Sequence, residues 1–231
     1  MVMVTALASP GDAVADAPKT AAAAADVQLG KDVAAIVEQA GAGEGAPFAR
    51  SVFLGWTSNN AAIFRVTICD ADALGGRGPY CELNVCSAPA STVAQPAELT
   101  CSNLVSTTLS DKDKIVAADI LKSVASTVAS HAPLVRGKPL AKSAVNFRFT
   151  QAAVTLKVPS RKKAVVIFTG STDDGDRPEG VRSVSLAAVS QSPDRLCVAT
   201  VGIANHFAHY EGYGGIVPLP FGVVLCRLTT K

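Results

Sequence analysis

Two histidines and a glutamate lie close together in the sequence and are the strongest candidates for chemistry. They are His206, His209 and Glu211. Imidazole nitrogens and a carboxylate are ligands that Zn²⁺ takes in proteins, and a zinc ion with three such ligands activates water. No HExxH motif is present to complete a site of this kind. We therefore favour a recognition loop containing Tyr210 and Tyr213, and keep a small metal-dependent hydrolase as the alternative.

Two other segments contain residues suited to binding ions. Segment 171–180 offers four acidic side chains, and these are Asp173, Asp174, Asp176 and Glu179. Oxygen ligands suit Ca²⁺, but the spacing of an EF-hand loop is absent, so an acidic turn is favoured over calcium. Arg77 lies within the run GGRGP of segment 75–79, whose backbone N–H groups suit an anion. Because no phosphate-loop lysine is present, we interpret this run as a long hairpin loop and keep Arg77 as a binding candidate.

Six cysteines indicate disulfides. They are Cys69, Cys81, Cys86, Cys101, Cys197 and Cys226. An even number on strand-like runs, without a CxxC pair, is typical of an oxidising compartment, whereas buried free thiols are the alternative. Cys197 and Cys226 lie in two runs that can pair antiparallel, so we predict a bridge between them.

The connectivity of the first four cysteines stays open. If Ile68 and Leu83 share the inner face, Cys69 points outward and Cys81 inward, so a bridge between these two needs a bulge. Cys81 and Cys86 are five positions apart and fall on opposite faces of one strand. We therefore expect that they do not pair with each other.

The elements that position these residues are mainly strands. Apolar and polar residues alternate over Ala62–Cys69, which predicts a half-buried strand, and Asn59 and Asn60 predict the turn before it. Similar runs predict strands up to Ile203 and again from Val223, with a Gly/aromatic loop over residues 205–222. The basic run 161–163 is interpreted as a hairpin turn.

A single amphipathic helix is predicted between these strands, over residues 110–131. Ser110 and Asp113 form an S-x-x-D capping pattern at its start. One apolar stripe follows at helical spacing, formed by Ala117, Leu121, Val124 and Val128. The predicted fold is therefore mainly β, with antiparallel sheets in a sandwich or partial propeller and one packed helix.

The first 47 residues differ in composition from the rest of the chain. Ala6-Leu7-Ala8 fits a signal-peptidase pattern, which we interpret as the remnant of a signal peptide, with chance in an Ala-rich segment as the alternative. Segment 9–28 is rich in Ala and Pro and is predicted to be disordered. A short helix over 30–40 and a linker precede one disulfide-containing β domain over 48–231.

Composition excludes several classes of function. The chain has 231 residues, 48% of them hydrophobic, and a formal net charge of +2. This charge is too small to indicate nucleic acid or an anionic membrane as the partner. No apolar stretch reaches the length of a transmembrane helix.

Two segments resemble a known type of hairpin. The residues FLGWTSNNAAIF at 53–64 and AVSQSPDRLCVA at 188–199 resemble the strand–SPDG–strand hairpins of TolB and WD40-like propeller blades. The order of parts is similar to that of certain predicted secreted bacterial proteins of unknown function. The resemblance implies a β architecture but transfers no catalytic residue to this chain.

Together these features predict a periplasmic or secreted module without enzymatic activity, which binds an unknown protein or small ligand through long loops. The alternative is the hydrolase centred on the two histidines. No cofactor is assigned, and zinc and calcium remain the two ions for which ligand types are present.

Overall fold

A computed structural model describes residues 17–42, 47–70, 80–92, 98–107, 115–149, 153–157, 165–169, 180–210 and 213–227. The helices in this part of the chain are α1 (Ala17–Ala42) and α2 (Ala117–Ser130), with a short 3-10 turn at Lys142–Ala144. The strands are β1 (Phe48–Trp56), β2 (Ala62–Asp70), β3 (Tyr80–Ala88), β4 (Ala90–Ser91), β5 (Thr100–Thr107), β6 (Lys138–Pro139), β7 (Asn146–Phe149), β8 (Ala153–Lys157), β9 (Val165–Thr169), β10 (Gly180–Gln191), β11 (Cys197–Tyr210) and β12 (Tyr213–Cys226).

The strands form three sheets. Sheet A has the order β1-β2-β3-β5, sheet B the order β4-β12-β11-β10-β6, and sheet C the order β7-β8-β9. All neighbours pair antiparallel except β4, which runs parallel to β12. The predicted class, mainly β with antiparallel sheets, is confirmed, and the described residues contain two α-helices that pack on sheet A, whereas one packed helix was predicted.

Sheets A and B pack face to face and form a sandwich. Every second residue of β2 and of β11 enters the core between them, and these residues are Ala62, Phe64, Val66, Ile68, Cys197, Ala199, Val201 and Ile203. The two sheets are in close contact at Gly222, where an added Cβ would lie 2.5 Å from the Phe64 ring. Only a residue without a side chain fits at this contact.

The other face of sheet A is covered by the helices. Leu83 of β3 packs with Val33 and Ile36 of α1 and with Ile120 and Val124 of α2. Strand β2 is consequently buried on both faces, at eight of its nine positions. The outer face of sheet B meets sheet C, so the layers follow the order helices, sheet A, sheet B, sheet C.

This burial on both faces corrects the predicted orientation of the first cysteines. Ile68 is paired with Glu82, so Leu83 lies on the opposite face from Ile68. Ile68 belongs to the core between the sheets and Leu83 to the core under the helices. The assumption that both share one inner face was wrong, because it presumed that the sheet has only one buried face.

Helix α1 differs from the prediction for the leader. It begins at Ala17, where disorder was expected up to residue 28 and a helix only over 30–40. Alanine has the highest helix propensity, so an Ala-rich run that looks like low complexity also favours a helix. Residues 1–16, including the A-x-A pattern, lie outside the described residues.

Helix α2 is shorter and rotated relative to the predicted helix. It begins at Ala117, and its N-cap, Val116, makes no side-chain capping bond. Ser110 and Asp113 lie outside the described residues. Ile120 and Val124 are the buried positions, while Leu121 is 40% exposed. Val124 and Val128 of the predicted stripe do face the core, whereas Ile120 is buried in place of Leu121, because the sequence offers an apolar residue at both positions.

The predicted loop over residues 205–222 is a long hairpin. Strands β11 and β12 have 14 residues each and are paired without interruption from Cys197↔Cys226 to Tyr210↔Tyr213. Pro218 and Pro220 fall in the part of β12 whose outer edge is paired with no described strand. Proline is tolerated at such an edge, so the segment interpreted as a Gly/aromatic loop is compatible with a strand despite its prolines.

No described helix is long and apolar enough to cross a membrane.

Candidate functional site

All six cysteines form disulfides, and each bridge joins residues that lie directly opposite each other on neighbouring strands. The bridges are Cys69–Cys81, Cys86–Cys101 and Cys197–Cys226, with Cα–Cα distances of 4.1, 4.1 and 4.0 Å. The cysteines are therefore neither nucleophiles nor metal ligands in this oxidised form. The last pair is the one that the two strand-like runs predict.

The first two bridges lie on opposite faces of sheet A. Cys69 and Cys81 belong to the core under the helices, whereas Cys86 belongs to the core between the sheets. Their register contains no bulge, because Cys69 and Cys81 are direct partners in the β2–β3 pairing. The predicted need for a bulge was wrong. Cys81 and Cys86 are not bridged to each other, as expected from their spacing.

A buried carboxylate anchors α1 to sheet A. Asp32 is 1% exposed and accepts hydrogen bonds from Gln28 Nε2 at 2.9 Å, Thr67 Oγ1 at 3.3 Å and Arg65 Nη2 at 3.4 Å. Arg50 Nη1 also binds it. The pKa of Arg65 is lowered by burial, an effect opposed by the charge of Asp32. Because four side-chain donors occupy this carboxylate, its role is to hold the helix in place.

One end of the sandwich is built from two turns and one extended segment, and we call it the turn end. Its parts are the β1–β2 turn (57–61), the β10–β11 turn (192–196) and segment 134–138. The backbones of Trp56 and Val135 exchange two hydrogen bonds of 2.8 Å. An added Cβ on Gly137 would lie 2.0 Å from the carbonyl oxygen of Gln191, so this segment lies directly against the sandwich.

The two hairpins noted in the sequence meet at the turn end through their turn residues. Asn60 Nδ2 donates to the Asp194 carboxylate at 2.7 Å, and the backbone N–H of Leu196 donates to the same group at 2.9 Å. The Ser192 hydroxyl also donates to it, and this bond is the main reason why the pKa of Asp194 lies below its usual value. Asn60 and Arg195 adopt φ values of 61° and 62°, as tight turns require. Asp194 therefore serves to join the two turns.

The exposed surface of the turn end is basic and partly apolar. Four exposed cations lie on it, and these are Arg136, Lys138, Arg195 and Arg227. None forms an ion pair with another described residue. Val135 and Leu196, at the same end of the sandwich, remain 45% and 40% exposed. Sequence analysis missed this surface because its cations come from three separate parts of the chain.

Part of the predicted histidine site lies outside the described residues. His206 is partly buried on β11 opposite Val217 and Val181. His209 lies three positions further along the same strand. Glu211 lies outside the described residues. No group of three metal-ligand side chains occurs within the described part of the chain.

The remaining predicted residues lie far from the turn end or outside the described structure. Tyr210 and Tyr213 are paired at the tip of the β11–β12 arm. Because β11 starts at the turn end and has 14 residues, the tip lies about 45 Å away along the strand. Arg77 and the acidic segment 171–179 lie outside the described residues. The structure therefore does not bring Tyr210 and Tyr213 near the turn-end cations.

Comparison with other proteins identifies no relative: no family model matches the chain, and no curated protein or solved structure is significantly similar to it.

Proposed function

We propose that this chain is an exported module without enzymatic activity, which binds a partner at one end of a disulfide-stapled sandwich. The observation that carries this proposal is the complete pairing of the six cysteines within the two main sheets. Disulfides of this kind persist outside the cytoplasm, so they support a periplasmic or secreted location.

The polar groups of the described structure support a binding function more than a catalytic one. The carboxylates of Asp32 and Asp194 are each held by several donors from the protein itself. A catalytic carboxylate needs hydrogen-bonding capacity that remains for the substrate. Two surfaces are left as candidates for contact, the turn end and the arm tip at Tyr210 and Tyr213.

Thiol chemistry on native material tests the location. Protein isolated from its source is denatured without reductant and treated with an alkylating reagent. We expect no cysteine to react before reduction and all six to react afterwards. Reaction of all six cysteines before reduction would contradict export to an oxidising compartment.

Photo-crosslinking tests the binding function. A photoreactive residue is placed at Leu196 on the turn end or at Tyr210 on the arm tip, with Lys122 on the exposed side of α2 as the control position. A binding module should give a discrete adduct from one of the first two positions and none from the control. The absence of adducts at both, or zinc at stoichiometric level that is lost in a His206→Ala/His209→Ala variant, would contradict the proposal.

A further inference from the structure

We infer that the turn end is the binding surface and that it takes an extended acidic peptide segment with aliphatic side chains. This inference rests on the proposed function as a binding module and adds the place and the chemistry of the partner. Three properties of the surface carry it, namely the positions of its cations, its charge balance and its exposed aliphatic groups.

The four cations lie within one short span of surface. Lys138 on β6 is paired with Gln191 at the end of β10, and Arg195 lies in the turn that follows. On the other side of β11, the backbone N–H of Arg227 donates to the carbonyl of Leu196 at 2.9 Å. Three strand spacings separate β6 from β12, a distance of about 14 Å. An extended peptide of roughly five residues spans this distance.

The turn end concentrates the positive charge of the molecule. Its four cations outnumber its single acidic residue, Asp194, by three, whereas the whole chain has a formal net charge of only +2. Asp194 already accepts bonds from both turns, so it neutralises none of the cations by direct contact. Glu98 precedes Thr100, the first residue of the edge strand β5, and so lies at the same end of sheet A beside the turn end; with it counted, the cations still outnumber the carboxylates by two. The surface is therefore complementary to an anionic partner.

The identity of the side chains favours carboxylates on a peptide over other anions. Three of the four cations are arginines, whose planar guanidinium groups bind carboxylates through two parallel hydrogen bonds. Val135 and Leu196 add aliphatic surface among them. Trp56, in contrast, is fully buried and offers no platform on which a nucleic-acid base can stack. These features fit a peptide that alternates acidic and aliphatic residues.

The surface is also held in a defined conformation before binding. The Trp56 indole Nε1 donates to Ser190 Oγ at 3.0 Å beneath segment 134–138, and Asn60 ties the two turns together through Asp194. A surface ordered in this way loses less conformational entropy when it binds a partner.

Fluorescence anisotropy with a labelled synthetic peptide tests the inference. The probe is a peptide of roughly eight residues that alternates glutamate and valine, added to the full oxidised chain. We expect saturable binding that weakens as salt is added, because exposed charge pairs are screened. A peptide with serine in place of valine carries the same charge and should bind several-fold more weakly.

Matched variants locate the site. Arg195→Gln/Arg227→Gln should weaken binding roughly tenfold, since each exposed charge pair contributes up to about a fivefold change. Arg148→Gln/Lys157→Gln removes the same charge from exposed positions on sheet C and should leave binding within about twofold. Unfolding midpoints of the unmodified chain and of every variant used here establish that the variants remain folded. Leu196→Ser should remove the preference for valine over serine in the peptide.

Several results would overturn the inference, and they can be distinguished from failure of the proposed function. An equal loss of peptide affinity in both double variants would mean that binding depends on the net charge of the protein and not on the turn end. If a sulfated oligosaccharide or an oligonucleotide of matched charge binds more tightly than the peptide, the partner is not an acidic peptide. If Tyr210→Ala/Tyr213→Ala is the only variant that loses peptide binding, the binding site is the arm tip. The inference about the turn end would then be wrong, while the proposed binding function would hold. If the peptide shows no saturable binding but a crosslinked adduct forms at Tyr210, the turn-end inference is likewise wrong and the binding function holds.

Discussion

The indole Nε1 of Trp56 donates a hydrogen bond of 3.0 Å to the hydroxyl of Ser190, across the interface of the two main sheets. The two residues are 134 positions apart in sequence, and both are buried. Trp56 is the single tryptophan of the chain, so its fluorescence reports on the junction of sheet A, sheet B and segment 134–138. This contact underlies the first prediction.

Gly137→Ala should disrupt the turn end. The added Cβ would lie 2.0 Å from the Gln191 carbonyl oxygen, 2.4 Å from Trp56 Nε1 and 2.7 Å from Ser190 Oγ. We expect a loss of stability of about 1–3 kcal/mol in denaturant unfolding, together with a red shift of the tryptophan emission. Gly30→Ala is the control, because nothing lies within 4 Å of its added Cβ and helix propensity should make it neutral or stabilising. Equal stability of the two variants would contradict the packing described.

Asp32→Ala should be among the most destabilising single substitutions. It leaves Arg65, whose side chain is 3% exposed, without its carboxylate partner, and breaking a buried pair costs about 3–5 kcal/mol. Glu38→Ala changes an exposed acidic residue on the same helix and should have an effect within about 0.5 kcal/mol. Equilibrium unfolding in urea measures both.

A double substitution separates the lost ion pair from lost packing. Asp32→Leu/Arg65→Met replaces both charges with apolar groups and should recover much of the stability lost in Asp32→Ala, since no buried charge then remains unpaired. A double variant as unstable as Asp32→Ala would contradict this account.

Removal of the Cys197–Cys226 bridge should destabilise the protein more than removal of Cys86–Cys101. The enclosed segments correspond to sequence separations of 29 and 15, for which chain entropy predicts about 3.5 and about 3 kcal/mol. Cys197 and Cys226 are also both buried, whereas Cys101 is exposed. Replacing each pair with alanines and comparing urea midpoints tests this order. The reverse order would contradict it.

Asp194 should contribute stability that disappears in acid. The Ser192 hydroxyl holds the pKa of this carboxyl below that of the unfolded chain, which is about 3.9. The contribution is therefore complete above about pH 5 and is lost as the pH falls through the unfolded and then the lower folded-state pKa. Ser192→Ala should raise this pKa, as measured by NMR titration of the Asp194 carboxyl. An unchanged value would show that the hydroxyl is not its main cause.

Alternation predicted strand β2 correctly but misidentified the surroundings of its polar face. Arg65 and Thr67 occupy the positions expected to meet solvent, yet both are buried because they bind Asp32 on α1. The two-residue alternation along a strand shows which residues share a face, but it does not show what covers that face. The sequence signal for this ion pair is an aspartate between the apolar positions of a helix together with an arginine in an apolar strand, and the prediction from sequence did not use it.

The turn end was beyond prediction for a different reason. Turn chemistry identified Asn60, and the SPD run at 192–194 identified the other hairpin, but the contact between them depends on how two sheets stack. Arg136, Arg195 and Arg227 come near each other only through the pairing of β6, β10, β11 and β12 within sheet B, which local sequence does not report. Local composition also misled at Pro218 and Pro220, because proline excludes a central strand but is compatible with an unpaired edge.

Because every disulfide lies within a sheet, the unfolded oxidised chain still holds three pairs of native partner residues together. Urea separates the layers, which no disulfide joins, yet β2 and β3, β3 and β5, and β11 and β12 stay linked at one native partner position each. A tether at the native position rules out register slips that would place side chains on the wrong face. Refolding then becomes the docking of pre-aligned hairpins, a shorter search than that of a reduced chain, which must close the same long loops by diffusion.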